Sequence, residues 1–98
     1  MKTTKLRKSA RDEDCQVRIP KYCNGDPATT VLAHLPGAGI GRKAADIHAA
    51  YACSGCHAVL DGHVRAPDLT ATLLRLYHYD AVIRTQELML QRGLITIG

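Results

Sequence analysis

Apolar and polar positions change rhythm along this chain, and the changes mark out its elements. From Cys15 to Pro20 (Cys-Gln-Val-Arg-Ile-Pro) they alternate, which predicts a short strand stopped by Pro20. Asn24-Gly25 in the following Cys23–Pro27 stretch is a strong turn signal, so the turn brings Cys23 back beside Cys15. Thr29 to Leu35 is β-branched and apolar and predicts a second strand, with His34 near its end. Pro36-Gly37-Ala38-Gly39-Ile40-Gly41 predicts a loop, closed by Arg42 and Lys43, which can reach a phosphate. The rhythm then becomes helical. Residues 44–52 are alanine-rich and predict a short helix carrying Asp46 and His48, and Cys53 to Leu60 predicts another, with Gly62 as its left-handed stop. Pro67-Asp68 opens the longest helix, with Asp68 as its cap and Leu69, Leu73, Leu76, Tyr77, Val82, Ile83 and Leu88 at helical spacing. Gly93 ends it near Arg92, and Leu94 to Ile97 predicts a final strand.

Composition narrows what can hold these elements together. Ninety-eight residues make one domain: a basic arm over 1–14, a core over 15–63 and a C-terminal helix over 67–92. The chain has no Phe and no Trp, only four Tyr, so its core is built from Leu, Ile, Val and Ala. A core that small gains from a bound metal, which supplies part of the folding free energy. The formal charge of +4 suits a polyanionic partner such as nucleic acid and equally a solvated surface. Lys2, Lys5, Arg7, Lys8 and Arg11 give the arm the same two readings, phosphate contact or solubilising tail. No apolar run follows the basic N-terminus and none is long enough to span a bilayer, so a cytoplasmic location with no membrane partner is expected.

A reducing compartment favours thiolates on a metal over two disulfides. Cys53-Ser54-Gly55-Cys56 has the x2 spacing of a thiol clamp. Cys15 and Cys23 are separated by seven intervening residues, a looser pair but within reach across the turn. Zinc takes four tetrahedral thiolate or imidazole ligands, so Cys15, Cys23, Cys53 and Cys56 are expected to share one structural Zn²⁺. The alternative is four buried free thiols, since cysteine packs as a small hydrophobe. Cys-x-x-Cys-His is also the c-type haem attachment signature, with Met89 available as an axial ligand. That reading leaves Cys15 and Cys23 without a role and requires export.

His34, His48 and His57 fall in an order that resembles the HNH endonuclease motif in its zinc-knuckle form. There a β-hairpin carries the first His, a loop or short helix an Asn, and a helix starting at Cys-x-x-Cys-His the last His. His57 matches the last His, and His48, nine positions earlier, stands where that family has Asn. The resemblance covers about residues 15 to 63. With the arm, the Cys-Gln-Val-Arg-Ile-Pro segment and the Val-Leu-Ala-His strand, the chain looks like the YbcO-like group of small phage and prophage proteins. The resemblance implies an α+β fold: a small zinc-stapled ββα-metal (HNH-like) domain with a long C-terminal helix. It implies a metal-dependent endonuclease hydrolysing DNA phosphodiesters, with branched or single-stranded recombination intermediates among its substrates.

Phosphodiester hydrolysis needs a base to activate water and a divalent ion to stabilise the leaving oxygen. Neutral histidine serves as such a base at pH 7. By analogy with the family, His34 is the base and His57 a ligand of a catalytic Mg²⁺ or Mn²⁺. Asp61, one helical turn after His57, can face the same ion, and His48 holds the scissile phosphate or orients the loop. HNH enzymes commonly place a metal-binding acid or His immediately before the base, and Ala33 stands there here. Asp46, His48 and His63 are the candidates to replace it. Cys53 and Cys56 must turn toward the other cysteines, whereas His57 lies about 100° further round the helix. His34, His57 and His48 are therefore expected to converge on one cleft away from the thiols. The long helix docks on its own domain, and its leftover apolar surface can serve a homodimer. His78 reads as a surface or packing residue. A non-catalytic zinc-binding module that holds nucleic acid or a protein is the alternative function, favoured by Ala33 and His48.

Overall fold

The computed structural model describes residues 4–36 and 45–97. Arg42 and Lys43 lie outside the described residues. The centre of the fold is a two-stranded antiparallel sheet, β1 (Val31–His34) against β2 (Ala49–Ala52). Val31 pairs with Ala52 and His34 with Ala49. The ladder extends one step further, where the Leu35 amide donates to the His48 carbonyl at 3.0 Å. All four residues of β2 are buried. Its outer edge is closed by side groups rather than by a third strand. The Tyr51 amide donates to Thr85 Oγ1 at 3.0 Å, and the Tyr51 carbonyl accepts from the Gln16 amide at 2.8 Å. Burying that edge without partners would cost a hydrogen bond's worth of desolvation at each group.

Among the described residues, three α-helices surround the sheet: α1 (Lys5–Ser9), α2 (Ser54–Leu60) and α3 (Ala71–Gln91). Each starts on a side-chain cap, which satisfies one of the amides a helix start leaves unpaired. Thr4 caps α1, the Cys53 sulfur caps α2, and Thr70 Oγ1 accepts from the Leu73 amide to cap α3. Gly62 and Gly93 follow the ends of α2 and α3 with φ of 78° and 71°, a conformation without penalty only for glycine. α3 lies across β2 through His78, Ala81, Val82, Thr85 and Met89, one helical stripe. The alanines of β2 let that helix approach closely.

The core has two parts. One joins Val17, Ile19, Ala33, Ala50, Cys53, Cys56, Val59, Ala81 and Val82. The other gathers Ala10, Leu32, Tyr51 and Met89 under α1 and the end of α3, with the Tyr51 hydroxyl hydrogen-bonded to Ser9 Oγ at 2.7 Å.

Several sequence expectations are corrected here. Cys15–Pro20 is not a strand but a bent segment, with Arg18 and Lys21 at φ of 55° and 74°. The alanine-rich stretch is not a helix: a 3-10 turn over Asp46–His48 leads directly into β2. Alanine favours helices weakly, and packing between β1 and α3 overrides that preference. The long helix begins at Ala71 behind Thr70, not at Pro67-Asp68. Its buried stripe omits Leu76 and Ile83, which are exposed. Residues 94–97 form no strand, because the Leu94 and Ile95 amides turn back to the Met89 carbonyl. The basic arm, for which an irregular segment or a short helix is expected, is helical over Lys5–Ser9 as α1.

Candidate functional site

α2 carries chemistry at both ends. At its start the sulfurs of Cys15, Cys23, Cys53 and Cys56 all lie within 4.8 Å of one another and could hold a metal ion. A tetrahedral ion with metal–sulfur bonds of about 2.3 Å requires sulfur–sulfur edges of about 3.8 Å. Cys53 Sγ and Cys23 Sγ are 3.8 Å apart, so the donor set fits such an ion. Backbone amides already point at these sulfurs: Ile19 to Cys56 and Asn24 to Cys53 at 3.4 Å, and Arg18 to Cys15 at 3.5 Å. Amide donors stabilise a thiolate over a thiol. The Cys56 thiol donates to Cys15, which brings Cys15 down to about 4 and pushes Cys56 up. Burial pushes Cys23 up. A cation in this nest replaces shared protons with its own charge.

The nest also needs close backbone contact. A Cβ on Gly55 would stand 2.0 Å from the Tyr22 carbonyl oxygen. Only glycine allows the 19–24 loop to lie this close to the start of α2.

At the other end of α2 is an open cleft of about 230 Å³, lined by His34, Leu60, Asp61, Leu74, Arg75 and His78 among others. β1 supplies His34, Pro36 follows it, the end of α2 supplies Leu60 and Asp61, and α3 supplies Ala71, Leu74, Arg75 and His78. His57 Nε2 is 3.0 Å from Asp61 Oδ2, an i,i+4 pair with both side chains partly exposed. His34 Nε2 is 2.6 Å from Asp46 Oδ1. The same carboxylate receives Thr4 Oγ1 and Arg7 Nε. These donors, His34 foremost, hold Asp46 down at about 2 despite partial burial.

His34 and Asp61 thus line the cleft, whereas His57 is paired with Asp61 and is not itself among the lining residues. His48 is exposed and does not line it. Asp46 is engaged by His34, Thr4 and Arg7, and His63 is exposed outside the cleft lining. Among the described residues, only the four cysteines bring three or more metal-capable side chains together. His57 and Asp61 can contribute two ligands to an ion that keeps waters in its other positions, as Mg²⁺ does.

Sequence reasoning missed two cleft residues. His78 is buried, and its Nε2 is 2.7 Å from the Ala33 carbonyl. Burial pushes its pKa down, so it is neutral at pH 7, and the carbonyl can only accept, so Nε2 carries the proton. The stripe His78-Ala81-Val82-Thr85 would have revealed it, had small residues been counted as core. Arg75 stands exposed at the cleft with no ion pair or hydrogen bond among the described residues. Nothing local in the sequence distinguishes it from other surface arginines.

No helix of the structure is long and apolar enough to cross a membrane. A family model described as "Putative nuclease YbcO" matches residues 4–94. A protein of Escherichia coli K12 bearing that same name is 42% identical over 93 residues, covering 92% of this chain and 95% of the relative. A protein of Enterobacteria phage 82, named "Putative nuclease ybcO", matches to the same extent. A solved structure, "Structure of a putative bacteriophage protein from Escherichia coli str. K-12 substr. MG1655", superposes with a TM-score of 0.76 at 40% identity. It covers 91% of this chain and 100% of that one.

Proposed function

Because the chain belongs to the YbcO family, we propose that it is a metal-dependent endonuclease of the HNH, or ββα-metal, type that hydrolyses DNA phosphodiesters. The observation that carries this reading is the cleft that His34 and Asp61 both line, with His57 paired to that aspartate. The order β1, β2, α2 delivers the two histidines from a strand end and a helix, as in the HNH motif.

In this reading His34 is the general base. It takes a proton from water as the water oxygen attacks phosphorus, and the P–O bond to the leaving sugar oxygen breaks. His57 and Asp61 would hold a divalent ion such as Mg²⁺ or Mn²⁺, which supplies charge stabilisation at the phosphate and the leaving oxygen. Arg75, unpartnered at the cleft, takes a phosphate oxygen in a charge-assisted hydrogen bond. Cys15, Cys23, Cys53 and Cys56 hold a structural Zn²⁺ that fixes the start of α2 and thereby aims His57.

Incubating the purified chain with supercoiled, single-stranded and branched DNA, each with Mg²⁺, Mn²⁺, Ni²⁺ or Zn²⁺, tests the reading. Divalent-dependent strand cleavage supports it, and intact DNA under every condition contradicts it. Ala33 and the displaced His48 favour a second reading, a zinc-stapled module that binds nucleic acid or a protein without cutting. That module would retain DNA in the same incubations and leave it whole.

A further inference from the structure

We propose that Asp46 is a positioning residue that fixes the orientation and tautomer of His34, and that α1 holds Asp46 in place through Thr4 and Arg7. The inference rests on the nuclease reading for its importance but not for its geometry. A histidine acts as a base through whichever ring nitrogen lacks the proton, so the partner of the other nitrogen decides the reacting atom. His34 Nε2 lies 2.6 Å from Asp46 Oδ1, and the two side chains are only 16% and 17% exposed. Water therefore competes weakly for the contact.

Asp46 is itself over-determined. Thr4 Oγ1 donates to Oδ2 at 2.5 Å, and Arg7 Nε approaches Oδ1 at 3.3 Å. Thr4 is the N-cap of α1, and its hydroxyl oxygen also accepts from the Arg7 amide at 3.1 Å. One hydroxyl thus uses its single proton on Asp46 while its oxygen starts the helix. A carboxylate with these donors stays ionised at neutral pH, and an ionised carboxylate only accepts. The proton must then sit on His34 Nε2, which leaves Nδ1 as the basic atom.

The arrangement also separates two roles that Asp46 might fill. In the HNH motif an acid or His beside the base ligates the catalytic ion, and Asp46 was a candidate substitute for the ligand missing at Ala33. Its oxygens are already occupied by His34, Thr4 and Arg7, and among the described residues no cluster of three metal-capable side chains includes it. It orients the base instead. The short basic helix, which the charge pattern presents as a tail, becomes part of the catalytic frame.

Long-range nitrogen–proton correlation on histidine-labelled protein reads the tautomer of His34 directly, with His34→Ala assigning the signal. The expected wild-type result is one Nε2–H tautomer. Asp46→Ala should mix the two tautomers, and in cleavage assays it should lower kcat by about 10–100-fold, the scale on which a histidine's orienting partner acts, with KM for DNA unchanged. Asp46→Asn keeps an acceptor oxygen and should recover part of that loss. Thr4→Val should loosen the tautomer preference less. An Nδ1–H tautomer in the wild-type protein overturns the proposal, as does an unchanged tautomer in Asp46→Ala or an effect confined to KM. If the wild-type chain cuts no DNA, the nuclease reading fails while the wild-type tautomer still decides the role of Asp46.

Discussion

The two ends of α2 are held by opposite means. Its start is dry: Cys53 and Cys56 are buried, four sulfurs crowd together, and backbone presses on backbone at Gly55. Its end is open: His57 and Asp61 pair at the surface beside an open cleft. A helix of seven residues cannot hold its own shape in water. Rigidity at one end is what allows exposed, water-accessible groups at the other to keep a fixed geometry. Stability and chemistry should therefore respond to different substitutions, although they lie one residue apart at Cys56 and His57.

The largest effect should come from breaking the nest. Cys53→Ser or Cys56→Ser removes a ligand, and structural zinc binding contributes about 10–16 kcal/mol in small zinc domains. That is as large as the about 5–15 kcal/mol of a whole domain, so the variants should be unfolded by circular dichroism and contain no zinc by metal analysis. A folded, metal-free Cys56→Ser protein would dissolve the contrast between the two ends. At the other end, His57→Ala should leave zinc content and fold unchanged and reduce divalent-dependent cleavage by about 10²-fold or more, with a higher Mg²⁺ concentration needed for half-maximal rate. Gly55→Ala sharpens the comparison without touching a ligand. Its Cβ meets a backbone carbonyl that cannot rotate away. A loss of about 3 kcal/mol in denaturant unfolding is expected, the upper part of the range for overpacking. The smallest effect concerns acid. Asp46 is held well below the ordinary carboxylate value, down to about 2, by His34, Thr4 and Arg7. Its contribution is therefore complete above the ordinary aspartate pKa and lost as pH falls through about 2. Amide shifts of Arg7 should stay native through the usual carboxylate range and move only below it.

Legibility followed the same divide. The x2 pair Cys53/Cys56 and the stop at Gly62 are local signals and could be read directly. The backbone between Cys15 and Cys23 could not. It turns at Arg18 and Lys21 with positive φ, and no glycine marks either place. The Arg18 and Ile19 amides face sulfur atoms there, and that contact exists only once the nest has formed. β2 was misread for a related reason. Ala-Ala-Tyr-Ala has helical propensity alone and becomes a strand because β1, Thr85 and Gln16 satisfy its backbone on both edges. Order and spacing single out His34, His57 and Asp61; of these, His34 and Asp61 line the cleft, and His57 pairs with Asp61. Asp46 and His34 are twelve residues apart and meet only when the hairpin closes. His78 and Arg75 arrive on α3, whose buried stripe runs through Ala81 and Thr85 rather than through its leucines.

On the proposed reading, one short helix joins a structural metal nest to a separate catalytic cleft. The rate of divalent-dependent plasmid cleavage by His34→Ala, measured on protein whose zinc content is determined in the same preparation, tests it most directly. Wild-type zinc content is expected, with cleavage lowered by about 10²–10⁴-fold, the contribution of a general base. Cleavage by His34→Ala at the wild-type rate, or loss of zinc along with activity, would contradict it.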